Sequence, residues 1–136
     1  MLIATGHPTV WTSREILGIA AAIACVVGHS YPVWLTFKGG KGVATAAGAL
    51  FALMPIGGAI GVAIWIGIFC VTRYVSVASV TVAAVLPLVI LVRSWGDKNA
   101  KEIFYFSVCV AVIVIWRHRS NLSRLIRGTE PRFNRK

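Results

Sequence analysis

Acidic side chains are scarce in this sequence, where four carboxylates accompany fourteen lysines and arginines. Glu15, Asp97, Glu102 and Glu130 all lie outside the long apolar runs. A carboxylate pair for acid–base catalysis, or a carboxylate relay for cations, therefore has no obvious residues to form it. In addition, no histidine is followed five residues later by an aspartate, which excludes an acyltransferase of the His-x4-Asp class.

Cysteines are also few. Cys25, Cys70 and Cys109 each lie within an apolar run, without a histidine or a second cysteine at metal-ligand spacing. They are predicted to be small core side chains, and neither disulfide partners nor metal ligands. Residues 1–14 lack the apolar core beside a basic leader that is typical of a cleaved signal peptide, so membrane insertion is expected to rest on the helices themselves.

Apolar residues are abundant: they make up 57% of the 136 positions, against 13% charged residues, and the mean hydropathy is +0.79. This composition indicates a membrane protein, since a spanning helix needs ~17–25 mostly apolar residues. We predict an all-α fold, a polytopic membrane helical bundle with short or broken helices. Its predicted parts are an N-terminal segment (1–14), a transmembrane helical domain (15–116) and a basic cytoplasmic C-terminal segment (117–136).

Four apolar stretches are candidate spans: 15–35, 43–72, 74–92 with a proline inside it, and 103–116, which is short for a full crossing. The second stretch is interrupted between Met54 and Gly58. If it is one kinked helix, Lys41 and the basic tail lie on opposite membrane faces, whereas two short helices in a hairpin place them on the same face. We favour the broken hairpin, because broken segments supply free helix ends for polar sites. Gly57 and Gly61 are expected to permit close helix packing.

The positive charge is concentrated at the C-terminal end, where residues 117–136 hold seven lysines and arginines against Glu130 alone. This excess predicts a cytoplasmic tail. Apart from Phe133, the tail has no aromatic residues between its cations, and it directly follows an apolar span. Both features favour anionic lipid headgroups or an anionic substrate over nucleic acid as its partner.

The segment GHSYPVWLTFKGGKGVAT, residues 28–45, places two lysines among three glycines at the end of a predicted span. Glycines let backbone N–H groups approach an anion, and a helix that begins near Val43 would add its N-terminal dipole. The pattern is not a nucleotide P-loop, which needs Ser or Thr where Gly42 follows the lysine. The phosphate site and a plain basic turn beside the membrane are about equally compatible with this spacing. His29 is expected to be buried.

Two further segments place polar side chains at span ends. RYVSVAS, residues 73–79, has Ser76 and Ser79 one turn apart, suited either to bind a phosphate or to pack helices. In HRSNLSRLIRGTEPRF, residues 118–133, His118 and Asn121 would share a helix face with Arg124 and form a polar substrate surface. The alternative for this segment is a helix end anchored to the membrane surface by its arginines.

Together these three segments resemble the bacterial integral-membrane acyl-phosphate:glycerol-3-phosphate acyltransferase family, from about Ile16 onward. The resemblance implies transfer of a fatty acyl group from acyl phosphate to the 1-hydroxyl of glycerol 3-phosphate, giving lysophosphatidic acid and phosphate for phospholipid biosynthesis. It also implies an all-helical fold in the bacterial inner membrane with a site open to the cytoplasm. The implied partners are the two substrates and membrane lipids, with no nucleic acid, metal or organic cofactor.

The resemblance also assigns roles to the matching positions. The predicted catalytic residues are His118, Asn121 and Lys41, and a phosphate oxygen of the substrate is expected to accept the proton of the attacking hydroxyl. The other motif positions are predicted to bind substrate: His29, Lys38, Gly39, Gly40, Gly42, Thr45, Arg73, Ser76, Ser79 and Arg119.

One part of the family pattern is missing. Family members normally begin with another helix and a loop of the form GSGN-x-GATN, whereas residues 1–14 contain one glycine and no asparagine. The chain is therefore interpreted as a fragment, a sequence with a misplaced start, or a degenerate paralogue. The alternatives to the enzyme are an inactive fragment of it, a non-catalytic anion-binding or transport protein, and a structural protein that assembles through Gly57 and Gly61.

Overall fold

The computed structural model describes residues 13–93 and 100–134. Within these ranges the chain forms α-helices and one 3-10 turn, Val33–Leu35, which confirms the all-α prediction. The predicted segment 1–14 falls almost wholly outside the described residues. The helices are α1 (Ser13–Ser30), α2 (Val43–Leu53), α3 (Pro55–Thr72), α4 (Val75–Arg93), α5 (Ala100–Arg117) and α6 (Arg119–Ile126).

Three stretches of the described chain are long and apolar enough to cross a membrane: Ile16–Leu35, Pro55–Thr72 and Val75–Val92. A fourth crossing is possible if α5 and α6, which bend by 54° between Arg117 and Arg119, count as one span. Helix α5 extends beyond the predicted 103–116 at both ends. Its first turn includes Glu102, an acid that the positive end of the helix dipole tolerates well.

The predicted break of the second apolar stretch is confirmed, and it lies at Met54. Met54 leaves the helical conformation (φ −147°, ψ 81°), and Pro55 then begins α3. Proline suits the first position of a helix, because its missing N–H would have no intrahelical partner there. With 11 residues, α2 is about 16 Å long at 1.5 Å per residue, which is too short to cross a bilayer alone.

Two long-range contacts decide between the two predicted topologies. The guanidinium of Arg117 donates to the carbonyl of Gly39, and the N–H of Phe133 donates to the carbonyl of Arg73 at 2.9 Å. The lysine turn, the α3–α4 junction and the C-terminal tail therefore meet at one end of the bundle. This is the arrangement of the broken hairpin, in which α2 runs away from that end and α3 returns to it.

The interior of the bundle is small. Ala22, Leu50, Ile90, Ile103 and Phe106 form the cluster of buried apolar side chains that joins α1, α2, α4 and α5. Many other large apolar side chains are exposed, where a lipid bilayer would cover them.

The cysteines do not lie where the sequence suggested. Cys25 and Cys70 are exposed, so their prediction as core residues was wrong, and Cys109 is partly exposed. The physical reason is that the lipid-facing surface of a membrane bundle is as apolar as its core. An apolar sequence context therefore does not distinguish the two.

The hairpin between α2 and α3 depends on small residues in α3. Gly57, Gly58 and Gly61 are buried, and a Cβ atom on Gly58 would lie 2.8 Å from the ring of Phe51 in α2. Close approach of the two helices therefore requires glycine at position 58.

We expect Gly58→Ala to destabilise the fold by about 1–3 kcal/mol, because the added methyl group forces Phe51 or the helices apart. The matched control is Gly67→Ala in the same helix, where a Cβ atom would meet nothing within 4 Å. That change should be neutral or stabilising by up to about 1 kcal/mol, from helix propensity. Unfolding midpoints in detergent measure both, and equal midpoints for the two variants would contradict the packing role of Gly58.

Candidate functional site

The loop between α1 and α2 is a compact turn with an unusual backbone. Thr36 and Phe37 have positive φ angles of 49° and 61°, although neither is glycine. The turn is held by its own hydrogen bonds, from the N–H of Phe37 to the carbonyl of Pro32 and from the N–H of Lys38 to that of Leu35. Positive φ at non-glycine residues costs conformational energy, so the surrounding contacts must hold this shape.

Gly39 and Gly40 lie against the end of α1. A Cβ atom on Gly39 would overlap the carbonyl oxygen of His29, and one on Gly40 would overlap the His29 ring. The N–H of Gly40 donates to the carbonyl of His29 at 3.1 Å. These two glycines are therefore required by packing within the protein, in addition to any approach of an anion. The His29 side chain is exposed, so the expectation that it is buried was wrong.

Gly42 starts α2 in the left-handed conformation, with φ 76°. No side chain caps the helix, so its first N–H groups are available to a ligand. Ser30, the last residue of α1, lies beneath this point: its hydroxyl is fully buried, has no hydrogen-bond partner among the described residues, and would be 3.1 Å from a Cβ on Gly42. Lys41 is exposed and precedes this helix start directly, and Thr45 lies in its first turn.

Arg117, the last residue of α5, holds the loop from the other side. Its Nη2 donates to the carbonyl of Gly39 at 2.6 Å and its Nε to the carbonyl of Gly40 at 3.0 Å. The guanidinium also lies over the ring of Tyr31, 4.9 Å from its centroid. The residue that directly precedes segment 118–133 is thus in contact with the loop between α1 and α2.

His118 follows at the bend between α5 and α6 and is 1% exposed. Its Nδ1 is 2.8 Å from the carbonyl of Val114. A carbonyl oxygen only accepts, so Nδ1 carries the proton and Nε2 of the neutral ring keeps a free lone pair. The charges of both Lys41 and Glu130 act on this ring, which places all three residues in one neighbourhood.

Asn121 is joined to the C-terminal tail through Glu130. The Asn121 amide donates to Oε1 of Glu130 at 2.7 Å, and Nε of Arg124 donates to Oε2 at 2.9 Å. Burial raises the pKa of the Glu130 carboxyl, but these two hydrogen bonds, the nearby Ser76 hydroxyl and the Arg124 charge outweigh it, so the net pKa lies below the usual range. Glu130 is therefore a carboxylate at neutral pH and fixes the orientation of the Asn121 amide.

The structure separates the two candidate serines. Ser76 is 3% exposed and lies beside Glu130, and its hydroxyl has no hydrogen-bond partner within the described ranges. The buried Oδ1 of Asn121 is without such a partner as well. Ser79, one turn further into the bundle, accepts a hydrogen bond from Nε1 of Trp65 at 3.0 Å. Ser76 thus belongs to the polar cluster with His118 and Asn121, and Ser79 belongs to the apolar interior.

An apolar cavity of about 330 Å³ lies between α2, α3, α4 and α5. Val43 and Val114 line the part nearest the polar cluster, and Leu86 and Phe106 line the remote part. The polar groups in its lining are limited to two serines and the indole of Trp65. A polar cluster and an apolar cavity are therefore adjacent.

Three predicted ligands with charged side chains also lie outside the cluster of His118, Asn121 and Ser76. Lys38 and Arg73 are exposed at the same end of the bundle. Arg119 is exposed as well, stacks on the ring of Trp116 and donates to its carbonyl at 3.1 Å. Sequence analysis also missed two residues that shape the site: Arg117, which holds the loop, and Glu130, which orients Asn121. A lone acid among seven tail cations was the available indication that Glu130 is paired.

The sequence was compared with protein families and curated proteins. A model of the family described as glycerol-3-phosphate acyltransferase matches residues 1–128, so the similarity begins before Ile16. A glycerol-3-phosphate acyltransferase from Hyphomonas neptunium is 42% identical over 131 residues, which cover 94% of this chain and 60% of that protein. A glycerol-3-phosphate acyltransferase from Desulforamulus reducens is 41% identical over 125 residues, which cover 92% of this chain and 60% of that protein. The chain thus spans about 60% of the length of these relatives.

A comparison with solved structures supports the same family. Two crystal structures of PlsY (YgiH), an integral membrane glycerol 3-phosphate acyltransferase, superpose with a TM-score of 0.74 and 34% identity. One is the lysophosphatidic acid form and the other the glycerol 3-phosphate form, and each is matched over 88% of this chain and about two thirds of its own (68% and 67%). Sequence, fold and motif geometry lead to one conclusion: this chain is an integral membrane protein that belongs to the glycerol-3-phosphate acyltransferase family.

Proposed function

We propose that this chain carries the substrate site of an acyltransferase that moves a fatty acyl group from acyl phosphate to the 1-hydroxyl of glycerol 3-phosphate. The observation that carries this proposal is that the cluster of His118, Asn121 and Ser76 lies at the same end of the bundle as the lysine–glycine loop, beside an apolar cavity. Such a site suits substrates that combine a phosphate with a long alkyl chain.

The loop would bind phosphate through its charge and its backbone. Lys41 supplies a cation, and the free N–H groups at the start of α2 supply donors at the positive end of the helix dipole. Lys38, Gly39, Gly40, Gly42, Thr45 and Arg73 surround this point in the chain or at the same end of the bundle. His29 and Arg119 remain predicted substrate contacts at its margin.

The polar cluster would orient the attacking hydroxyl. The lone pair on Nε2 of His118 can accept a hydrogen bond from the second hydroxyl of glycerol 3-phosphate, and the free Oδ1 of Asn121 and the Ser76 hydroxyl can hold the rest of that molecule. The hydroxyl oxygen attacks the acyl carbonyl carbon, the bond from that carbon to the phosphate oxygen breaks, and inorganic phosphate leaves. The proton of the attacking hydroxyl passes to a phosphate oxygen of the substrate. Because acyl phosphate is already activated, positioning and charge stabilisation supply most of the acceleration.

The apolar cavity would hold the acyl chain. It begins beside Val43, directly after the loop, and extends between four helices towards Leu86 and Phe106. Burying an alkyl chain there is favourable, since its methylenes leave water. The same lining argues against an anion-transport function, which would require polar or charged groups along the passage.

The placement in the membrane follows from charge. The basic tail, Lys41 and Arg73 lie at one end of the bundle, and an excess of lysine and arginine is typical of the cytoplasmic face. We therefore place the protein in the bacterial inner membrane as a multi-pass protein, with its site and C-terminus in the cytoplasm, where segment 117–136 also contacts anionic lipids.

His118→Ala is expected to lower kcat by about 10²-fold or more, because the attacking hydroxyl is no longer held in position. Lys41→Ala should mainly raise KM for the phosphate-bearing substrates. The measurement is transfer from palmitoyl phosphate to labelled glycerol 3-phosphate, with the 136-residue chain and with the same chain extended upstream in its reading frame.

The control for these variants is Lys101→Ala, an exposed cation in the first turn of α5 at the far end of the bundle, which should retain activity. Normal activity in both His118→Ala and Lys41→Ala would contradict the proposal. So would the absence of transfer by the short and the extended chain alike.

Ala83→Phe is expected to raise KM for palmitoyl phosphate at least about tenfold, because the ring fills the cavity that Ala83 lines. Butyryl phosphate, whose chain is short, should be affected much less. Ala84→Phe is the matched control, since Ala84 is the next residue of α4 and faces outward. An equal effect of the two variants on both substrates would show that the acyl chain binds elsewhere.

A further inference from the structure

Arg117, the residue before segment 118–133, makes the contact that joins that segment to segment 28–45. Two nitrogens of its guanidinium donate to two consecutive backbone carbonyls, those of Gly39 and Gly40, which lie 78 and 77 residues away in the chain. A guanidinium presents several donors in one rigid plane, which suits two acceptors side by side. Stacking on Tyr31 holds that plane in place.

These two hydrogen bonds also fix the direction of the N–H groups in the loop. In a planar trans peptide, the carbonyl and the following N–H point in opposite directions. The carbonyl of Gly39 faces Arg117, and accordingly the N–H of Gly40 faces the other way and donates to His29. By the same rule, binding of the Gly40 carbonyl to Arg117 turns the N–H of Lys41 away from the guanidinium. No acceptor for that N–H lies among the described residues.

The position of Arg117 in the chain gives this contact a second effect. The next residue is His118, whose ring is fixed through Nδ1 to the carbonyl of Val114 in the last turn of α5. Because Arg117 is part of the same helix end, it sets the distance between the loop that carries Lys41 and the His118 ring.

We propose that Arg117 is a positioning residue that holds the glycine loop in its anion-binding shape and in register with His118. It acts through the loop: two of its N–H groups donate to the loop carbonyls, and its planar face lies over the ring of Tyr31. The choice of phosphate as the anion rests on the proposed function, whereas the effect on loop shape does not.

Lysine cannot replace arginine in this role. An ammonium keeps the charge, but it is a point donor that cannot span two carbonyls in a fixed plane. Arg117→Lys therefore separates charge from geometry. Arg127→Lys is the matched control, because Arg127 is an exposed arginine at the end of α6 whose guanidinium makes no hydrogen bond within the described ranges.

The first measurement is amide hydrogen exchange of the loop in detergent without ligand. In Arg117→Lys, the amides of Phe37, Lys38 and Gly40 should exchange roughly tenfold faster or more, as expected for loss of a charge-assisted hydrogen bond. In Arg127→Lys they should exchange as in the parent protein. Parent-like exchange in Arg117→Lys would overturn the proposal.

The second measurement is chemical rescue, which a merely destabilised fold would not show. Guanidinium added at millimolar concentration to Arg117→Ala should restore loop protection, whereas sodium chloride at the same concentration should not. Rescue that fails while Arg117→Ala keeps the parent's unfolding midpoint would overturn the proposal. If the variant unfolds instead, exchange in Arg117→Lys decides.

Ligand binding completes the test. The Kd for inorganic phosphate, measured by ligand-induced thermal stabilisation, should rise about tenfold in Arg117→Lys and stay unchanged in Arg127→Lys. An unchanged Kd in Arg117→Lys would overturn the role in anion binding. Absence of phosphate binding in the parent protein would instead contradict the proposed function, and hydrogen exchange would still decide whether Arg117 shapes the loop.

Discussion

The contact between the Arg117 guanidinium and the carbonyls of Gly39 and Gly40 is the interaction on which the functional end of this bundle depends. It brings the end of α5 against the loop between α1 and α2. Backbone carbonyls that are partly shielded from water need donors, and the Arg117 guanidinium supplies them here. The loop is thereby shaped by a side chain from another helix as well as by its own turn.

The site combines two physical environments that the helices keep apart. At the bundle end, Glu130 orders Asn121 and Arg124, while Ser76 and the far oxygen of Asn121 stay buried with free hydrogen-bonding capacity. A buried polar group without a hydrogen-bond partner costs free energy, so these two groups favour binding of a polar ligand. One helical turn further into the bundle, the Ser79 hydroxyl accepts a hydrogen bond from Trp65, and the cavity beside it is apolar. An amphiphilic substrate matches this change of environment along its length.

The break at Met54 explains how a short chain builds such a site. It ends α2 after 11 residues and lets α3 return to the same end of the bundle. Sequence analysis predicted this break from Met54-Pro55 and the following glycines, because proline ends helices by a local mechanism. It gave the wrong environment for Cys25 and Cys70, because hydropathy is equally high on the core and lipid sides of a membrane helix.

The sequence by itself determined the membrane-helical class, the broken span, the three motifs and, through them, the family. These are properties of consecutive residues: hydropathy, proline and glycine geometry, and local spacing. Only the tertiary structure decided that Ser76 and not Ser79 joins His118, that Gly39 and Gly40 are required by the end of α1, and that Arg117 and Glu130 organise the site. Those facts depend on which helix faces which, and a hydrogen bond across 77 residues leaves no periodicity in the chain.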